Sequence, residues 1–189
     1  MLLEYQRYGR NKETLVNSTY IESGEYRKKF DRITDNVEVS RTLYSKAKEM
    51  LWHRSGTMLE DMYWIDAATG KVVASVLDTQ VERKIVYGDL LKKALQGKTG
   101  LIAMHTHPQS MPPSIADFNS SFKNSYGKSI IICHDGTIYE YISSQEVPNG
   151  LYERYIGNHL KEGYSERKAQ LKALKELKKN FHIDFWEVQ

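Results

Sequence analysis

Two histidines are followed by the pattern Ser-x-x-Asp within the fifteen-residue segment MHTHPQSMPPSIADF, which spans residues 104–118. His105 and His107 end the short apolar run LIAMHTH, which predicts a β-strand. Side chains repeat every two residues along a strand, so both imidazoles are expected on the same side. Two neutral imidazoles on one side supply half of the ligands of a tetrahedral zinc site.

Asp117 is the predicted third ligand. It lies in the first turn of a helix predicted from about Ser114 to Asn124, and the preceding loop can fold it over the strand end. Two histidines and one aspartate leave a fourth position open for water, which is typical of a catalytic zinc site. A purely structural interpretation is the alternative, because Ser-x-x-Asp is also the pattern of a helix N-terminus. The two roles are compatible, since a cap fixes the helix that carries the ligand.

The segment resembles the signature of the JAB/MPN superfamily of JAMM-motif zinc metalloproteases, which reads Glu, then His-x-His, about seven residues, and Ser-x-x-Asp. The resemblance covers residues 37–145 and is strongest to JAB domains of prokaryotic and phage origin, with RadC-like proteins more distant. It implies that His105, His107 and Asp117 bind Zn²⁺. It also implies that Ser114 stabilises the tetrahedral intermediate and that a distant glutamate is the general base.

The sequence departs from that signature at one place. Six residues, 108–113, separate His107 from Ser114, where the family pattern has seven. The shorter loop predicts a changed approach of Asp117 to the metal. Proline fixes its own φ at about −65° and favours an extended residue before it, so the Pro112-Pro113 pair is expected to hold this path rigid.

Glu60 is the predicted general base. In the family, the glutamate lies on a strand that follows the first helix and runs beside the histidine strand, and Glu60 has that position in the order of elements. Glu49 is the competing candidate, but it falls in the middle of a predicted helix, and Glu22 and Glu25 precede that helix. The structural alternative for Glu60 is a solvent-facing carboxylate at a strand edge.

The order of the helices and strands indicated by the sequence predicts an α/β domain, with a mixed β-sheet and helices packed on its faces. Hairpins are indicated at 60–77 and 128–142, with turns at Thr69-Gly70 and Asp135-Gly136. Helices are indicated at 37–53, 89–97 and 114–124. The resemblance implies the JAB/MPN, cytidine-deaminase-like version of this architecture. The absence of a glycine-rich phosphate loop argues against a nucleotide-binding fold.

Three regions are predicted along the chain. Residues 1–36 are polar and without sustained periodicity, and we interpret them as an extended N-terminal arm with short elements. Residues 37–145 form the JAB/MPN-like, metal-dependent hydrolase domain. Residues 146–189 form a C-terminal helical extension packed on the domain, with two helices split near Gly163 and a short aromatic segment at the end.

Composition narrows the class of protein. The chain has 189 residues and a formal net charge of +3, with acidic and basic residues interspersed, so nucleic acid is not the expected partner. The single cysteine, Cys133, excludes an intrachain disulfide and fits a reducing compartment. No apolar run reaches the roughly 20 residues that span a membrane. A cytoplasmic protein that does not bind membranes is expected.

Several other residues receive structural interpretations. Cys133 is expected to be a buried apolar residue, His53 a helix cap and His134 a turn residue. His159 and His182 lie outside any predicted cluster. A solvated helix face is the interpretation of the lysines at positions 168, 172, 175, 178 and 179.

The expected function is zinc-dependent hydrolysis of a peptide or isopeptide bond, with a zinc-bound water activated by Glu60. The substrate is expected to be a peptide or protein, with ubiquitin-like proteins among the candidates. A nucleic acid or a small amide is the remaining substrate class. The alternative function is a JAB-fold scaffold that docks a partner without catalysis. The presence of both histidines, Ser114 and Asp117 favours the enzyme, since scaffolds of this fold typically lose the ligands.

Overall fold

A six-stranded mixed β-sheet forms the centre of the computed structural model, which describes residues 14–189. The strands, in chain order, are β1 (Met62–Asp66), β2 (Val72–Val76), β3 (Leu101–His107), β4 (Lys128–Cys133), β5 (Ile138–Ser143) and β6 (Ile183–Glu187). Their order across the sheet is β2-β1-β3-β4-β5-β6. β3 and β4 run parallel, and every other neighbouring pair is antiparallel. The predicted mixed sheet and both predicted hairpins are confirmed.

Seven helices lie among the described residues and cover both faces of the sheet. They are α1 (Ser18–Ile21), α2 (Gly24–Ile33), α3 (Val37–Arg54), α4 (Asp89–Leu95), α5 (Ile115–Asn124), α6 (Leu151–Lys161) and α7 (Glu166–Asn180). α1, α2 and α3 cover one face, which we call the first face. α5, α6 and α7 cover the second face, and α4 packs beside them near the β2 edge. In residues 14–189 no helix combines the length and the apolar character that crossing a membrane requires.

The N-terminal region differs from the extended arm that the sequence predicts. Ile21, Tyr26 and Phe30 are completely buried in the core of the first face. α2 is capped by Ser23, whose hydroxyl accepts a hydrogen bond from the Tyr26 N–H at 3.2 Å. The apolar stripe of α2 is short, and its helix is stabilised by packing against α3, which a local pattern does not reveal. The remainder of the predicted arm, residues 1–13, lies outside the described residues.

The C-terminal region contributes to the sheet as well as to its covering. α6 and α7 are separated at Gly163, as predicted, and they pack with α5 on the second face. The closing aromatic segment, interpreted from the sequence without a secondary structure, forms β6 and pairs with β5. Residues 146–189 therefore share one core with the strands that carry the predicted site.

Candidate metal centre

The C-terminal end of β3 presents both predicted histidines on the second face of the sheet. β3 is central and pairs with β1 on one side and β4 on the other, so its direction is fixed by two ladders. The Nε2 atoms of His105 and His107 lie 3.1 Å apart, and the two rings meet edge to face. The ring of Tyr141 packs edge-on against His105 from β5. The alternation of a strand thus brings two imidazole nitrogens to one point on the same face, as the sequence predicts.

The first turn of α5 brings Asp117 to the same point. Its Oδ1 lies 3.2 Å from Nε2 of His105, and its Oδ2 lies 3.4 Å from Nε2 of His107. One ligand atom from each of the three residues falls within 4.8 Å of the others. The six-residue loop between His107 and Ser114 therefore brings this carboxylate to the histidines.

Ser114 fixes the helix that carries this carboxylate. Its hydroxyl accepts a hydrogen bond from the Asp117 N–H at 3.2 Å, and its own N–H donates to Asp117 Oδ2 at 2.7 Å. This reciprocal pair is a capping box. The Ser114 hydroxyl also donates to Asp117 Oδ2 at 2.7 Å. Ser114 thus orients the predicted ligand. Its role in stabilising a tetrahedral intermediate stays a prediction, and it requires the hydroxyl to rotate away from Asp117.

The second nitrogen of each imidazole has a different environment. Nδ1 of His107 lies 2.8 Å from the Met111 carbonyl oxygen, which can only accept, so Nδ1 carries a proton. In the neutral imidazole, Nε2 therefore has the lone pair that faces the cluster. Nδ1 of His105 is buried and has no hydrogen-bond partner within residues 14–189. The protein therefore sets the tautomer of one histidine directly, and that tautomer suits a metal ligand.

The charges of the cluster are strongly coupled. Burial opposes the charged form of His107, but the hydrogen bond and negative charge of Asp117 outweigh it and raise the pKa of His107 to about 9. Burial also opposes the ionised form of Asp117, yet His105 and His107 hold its pKa well below the usual range. A proton on His107 and a cation would compete for the same lone pair, so binding of a metal at this cluster would release a proton.

Glu60 lines the same cleft, just before β1. β1 and β3 are antiparallel, and Met62 pairs with His105. The same register continues one residue further, where the Thr106 N–H donates to the Asp61 carbonyl. The next position in this register places Glu60 across from His107. Glu60 is 7% exposed, so the interpretation as a solvent-facing carboxylate is wrong. Burial raises the pKa of Glu60, and the positive charges of the two histidines oppose this rise.

The competing glutamate lies elsewhere. Glu49 is on α3, and its carboxylate accepts hydrogen bonds from the Lys46 ammonium at 2.6 Å and from the Tyr63 hydroxyl. Tyr63 belongs to the core of the first face, whereas the histidine cluster opens on the second. Glu49 is therefore separated from the cleft by the sheet.

The structure shows a buried ionic network behind Glu60 that the sequence does not reveal. Asp61 is completely buried, and its two oxygens bind Arg54 Nε at 2.5 Å and His53 Nδ1 at 2.6 Å. Its main chain exchanges hydrogen bonds with Thr106, whose Oγ1 accepts from the Asp61 N–H at 3.0 Å. The network ties the end of α3 to β3 between the two histidines, and it therefore positions Glu60, the preceding residue. The cap position of α3 is taken by Ser55, so His53 is a partner of Asp61 where the sequence predicts a helix cap.

We expect Asp61→Ala to lower the free energy of unfolding by about 3–5 kcal/mol, because it leaves the buried Arg54 guanidinium without its counter-charge. Glu38→Ala is the matched control: the Arg41–Glu38 pair has the same chemistry but is exposed, so its loss costs less than about 1 kcal/mol. Urea denaturation of both variants measures the difference. Equal losses would show that the Arg54–Asp61 pair contributes no more than a surface pair.

The remaining histidines and the cysteine lie outside the cluster. Cys133 is buried, as predicted, and burial raises its pKa well above the usual range. His134 is completely buried and hydrogen-bonds to the Thr14 carbonyl, so its interpretation as a simple turn residue is incomplete. His159 lies between two glutamates, at 3.0 Å from Glu162 and 2.6 Å from Glu176.

The cluster opens into a cleft of about 350 Å³. Glu60, Ser114 and the three candidate ligands line its floor. Four tyrosines from different elements form an aromatic part of the wall: Tyr87, Tyr126, Tyr141 and Tyr152. A cleft of this size accepts a few residues of an extended chain or a small molecule. Comparison of the chain with protein-family models, curated proteins and solved structures finds no match in any of the three.

Proposed function

We propose that this protein is a zinc-dependent hydrolase of amide bonds, a JAMM-type peptidase or isopeptidase that acts on peptide or protein substrates. The convergence of two imidazole Nε2 atoms and one carboxylate at a strand end, inside a cleft that also contains a buried glutamate, is the observation that carries the proposal. Three separate features contribute to this convergence: the alternation of side chains along β3, the capping box of α5, and the register between β1 and β3.

The donor set fits Zn²⁺. Two nitrogens and one carboxylate oxygen are the ligands of many catalytic zinc sites and leave one position for a water or a substrate oxygen. His105, His107 and Asp117 would hold the ion, with Ser114 and the Met111 carbonyl orienting two of these ligands. A zinc ion in such a site polarises a carbonyl and lowers the pKa of water.

Glu60 would move the proton. Its carboxylate accepts a proton from the attacking water and returns it to the amide nitrogen that leaves. Burial of Glu60 raises its pKa towards the working pH, which suits a group that must both take and release a proton. The buried Asp61 next to it anchors the backbone from which this carboxylate projects.

The proposal predicts about one zinc per chain in the purified protein, and zinc-dependent cleavage of a mixed peptide and isopeptide library. Elemental analysis measures the metal, and mass spectrometry of the digested library measures cleavage. A chelator should stop cleavage, and added Zn²⁺ should restore it. A protein that binds no zinc would contradict the proposal, and a zinc protein that cleaves nothing would favour the scaffold alternative.

A further inference from the structure

Four charged side chains line the cleft, and only two of them have a role in the proposed chemistry. Among the described residues its lining contains two acidic side chains, Glu60 and Asp117, and two basic ones, Arg83 and Lys84. Both acids are assigned above to ligation and proton transfer, whereas neither base has a place in that chemistry. With a divalent cation held by neutral imidazoles, the cleft would carry a net positive charge.

The loop between β2 and α4 presents the two bases at the rim. Arg83 has a φ of 57°, in the left-handed region, and its N–H donates to the Met58 carbonyl at 3.0 Å. The hydroxyl of the buried Thr79 lies 3.2 Å from the Lys84 carbonyl oxygen, to which it donates. A non-glycine residue adopts this backbone conformation only where its surroundings hold it. The loop is thus pinned on both sides of the basic pair, while both side chains stay exposed.

The basic pair lies close to the reacting groups. Arg83 and Lys84 line the same cleft as Glu60 and the candidate metal ligands, so both positive charges face the space that a substrate would occupy. The adjoining wall is apolar and aromatic: Ile85 and Tyr87 follow on the same loop, and the Tyr87 hydroxyl is 3.0 Å from that of Tyr126. A substrate whose anionic group binds at the rim would place its adjoining residues against this wall.

We propose that Arg83 and Lys84 form an anion subsite that binds a carboxylate of the substrate. The inference rests on the proposed function and names its substrate class: segments with an acidic side chain or a free C-terminal carboxylate near the scissile amide. A guanidinium binds a carboxylate through two parallel hydrogen bonds, and an ammonium adds a second, more flexible charge.

Peptide binding tests the subsite separately from turnover. Three fluorescein-labelled decapeptide pools, titrated into the zinc-loaded Glu60→Gln protein, distinguish the sources of the carboxylate. One is rich in Asp and Glu with an amidated C-terminus, the second replaces these residues by Asn and Gln, and the third has the second composition with a free C-terminus. We expect the acidic or the free-carboxylate pool to bind roughly tenfold more tightly than the neutral amidated pool, the effect of about two exposed ion pairs.

The preference should disappear in an Arg83→Ala/Lys84→Ala protein and weaken at high salt. Lys92→Ala/Lys93→Ala is the matched control, because it removes two exposed lysines of the neighbouring α4 that do not line the cleft. Equal binding of all three pools, no binding of any, or a preference that survives the Arg83/Lys84 double substitution would each overturn the subsite.

Cleavage assays distinguish a failure of the subsite proposal from a failure of the proposed hydrolase function. Wild-type protein that cleaves the library without charge preference would retain the hydrolase and reject the subsite. Lys84→Glu should shift cleavage from acidic towards basic sequences and change KM more than kcat, with an unchanged pH profile. A changed pH profile in Lys84→Glu would instead mean that Lys84 acts through Glu60.

Discussion

His107→Ala is expected to abolish zinc binding while the protein stays folded. The substitution removes one of three donor atoms, and the two that remain do not complete a tetrahedral site with protein ligands. The side chain of His107 lines the cleft and is 12% exposed, so its truncation opens onto the cleft and leaves the core intact. Elemental analysis should find less than about a tenth of the wild-type zinc, with circular dichroism unchanged.

A second ligand variant and a control variant test whether the zinc loss is specific to the cluster. Asp117→Ala should also lose the metal, but it removes the capping box of α5 as well and should cost about 1 kcal/mol of stability. His182→Ala is the control, because His182 is an exposed histidine that contacts Gln145 and does not line the cleft. Zinc retained at full stoichiometry in either ligand variant would show that the ligand assignment is wrong.

The pH dependence of zinc binding follows from the same cluster. The pKa of His107 is raised to about 9, so below that pH the imidazole must lose a proton before Nε2 can bind zinc. Apparent affinity should therefore rise with pH up to about pH 9 and level off above it, once His107 has lost this proton. Calorimetry in buffers of different ionisation heats should show about one proton released per ion at neutral pH.

The candidate ligands are predictable from the sequence because their geometry is local. His105 and His107 share a face of one strand, and Ser114 and Asp117 share one helical turn, so residue spacing already restricts where each side chain points. The approach of that helix to the strand end is not local. It depends on the packing of α5 against the sheet, which the motif alone does not encode.

Longer-range contacts explain what the sequence does not predict. Asp61 gains its importance from Arg54 and His53 at the end of the preceding helix and from Thr106 on a neighbouring strand. No periodicity marks such a network, because its members are scattered over elements whose packing is set by the whole sheet. The burial of α2 has the same origin, since its few apolar residues become core only when α3 covers them.

Glu60→Gln is expected to retain zinc and to lower hydrolysis by roughly 10²–10⁴-fold. Glutamine keeps the size and shape of the buried side chain but cannot accept a proton, so proton transfer is removed while the three ligands stay. Zinc content and turnover, measured on the same preparation, separate this effect from metal loss. The expected pattern is therefore the reverse of that for His107→Ala, in which the metal itself disappears.

Glu49→Gln is the matched control for the base. It makes the same chemical change on the opposite side of the sheet, where the carboxylate binds Lys46 and Tyr63, and it should leave turnover unchanged. Loss of activity in Glu49→Gln together with full activity in Glu60→Gln would exchange the two assignments. Full activity in both would leave proton transfer to a group other than these two carboxylates.

The pH–rate profile gives the role of Glu60 a second, independent signature. A protonated carboxylate cannot take a proton from water, so activity should be present above the pKa of Glu60 and lost as the pH falls through it. Burial raises that pKa, so this acid limb should lie above the ordinary range of a glutamate. Arg83 lowers the pKa of Glu60, so Arg83→Ala should move the limb to higher pH, whereas Lys92→Ala should not. In Glu60→Gln the residual rate should lack the Glu60 limb, because the group that titrates there is gone.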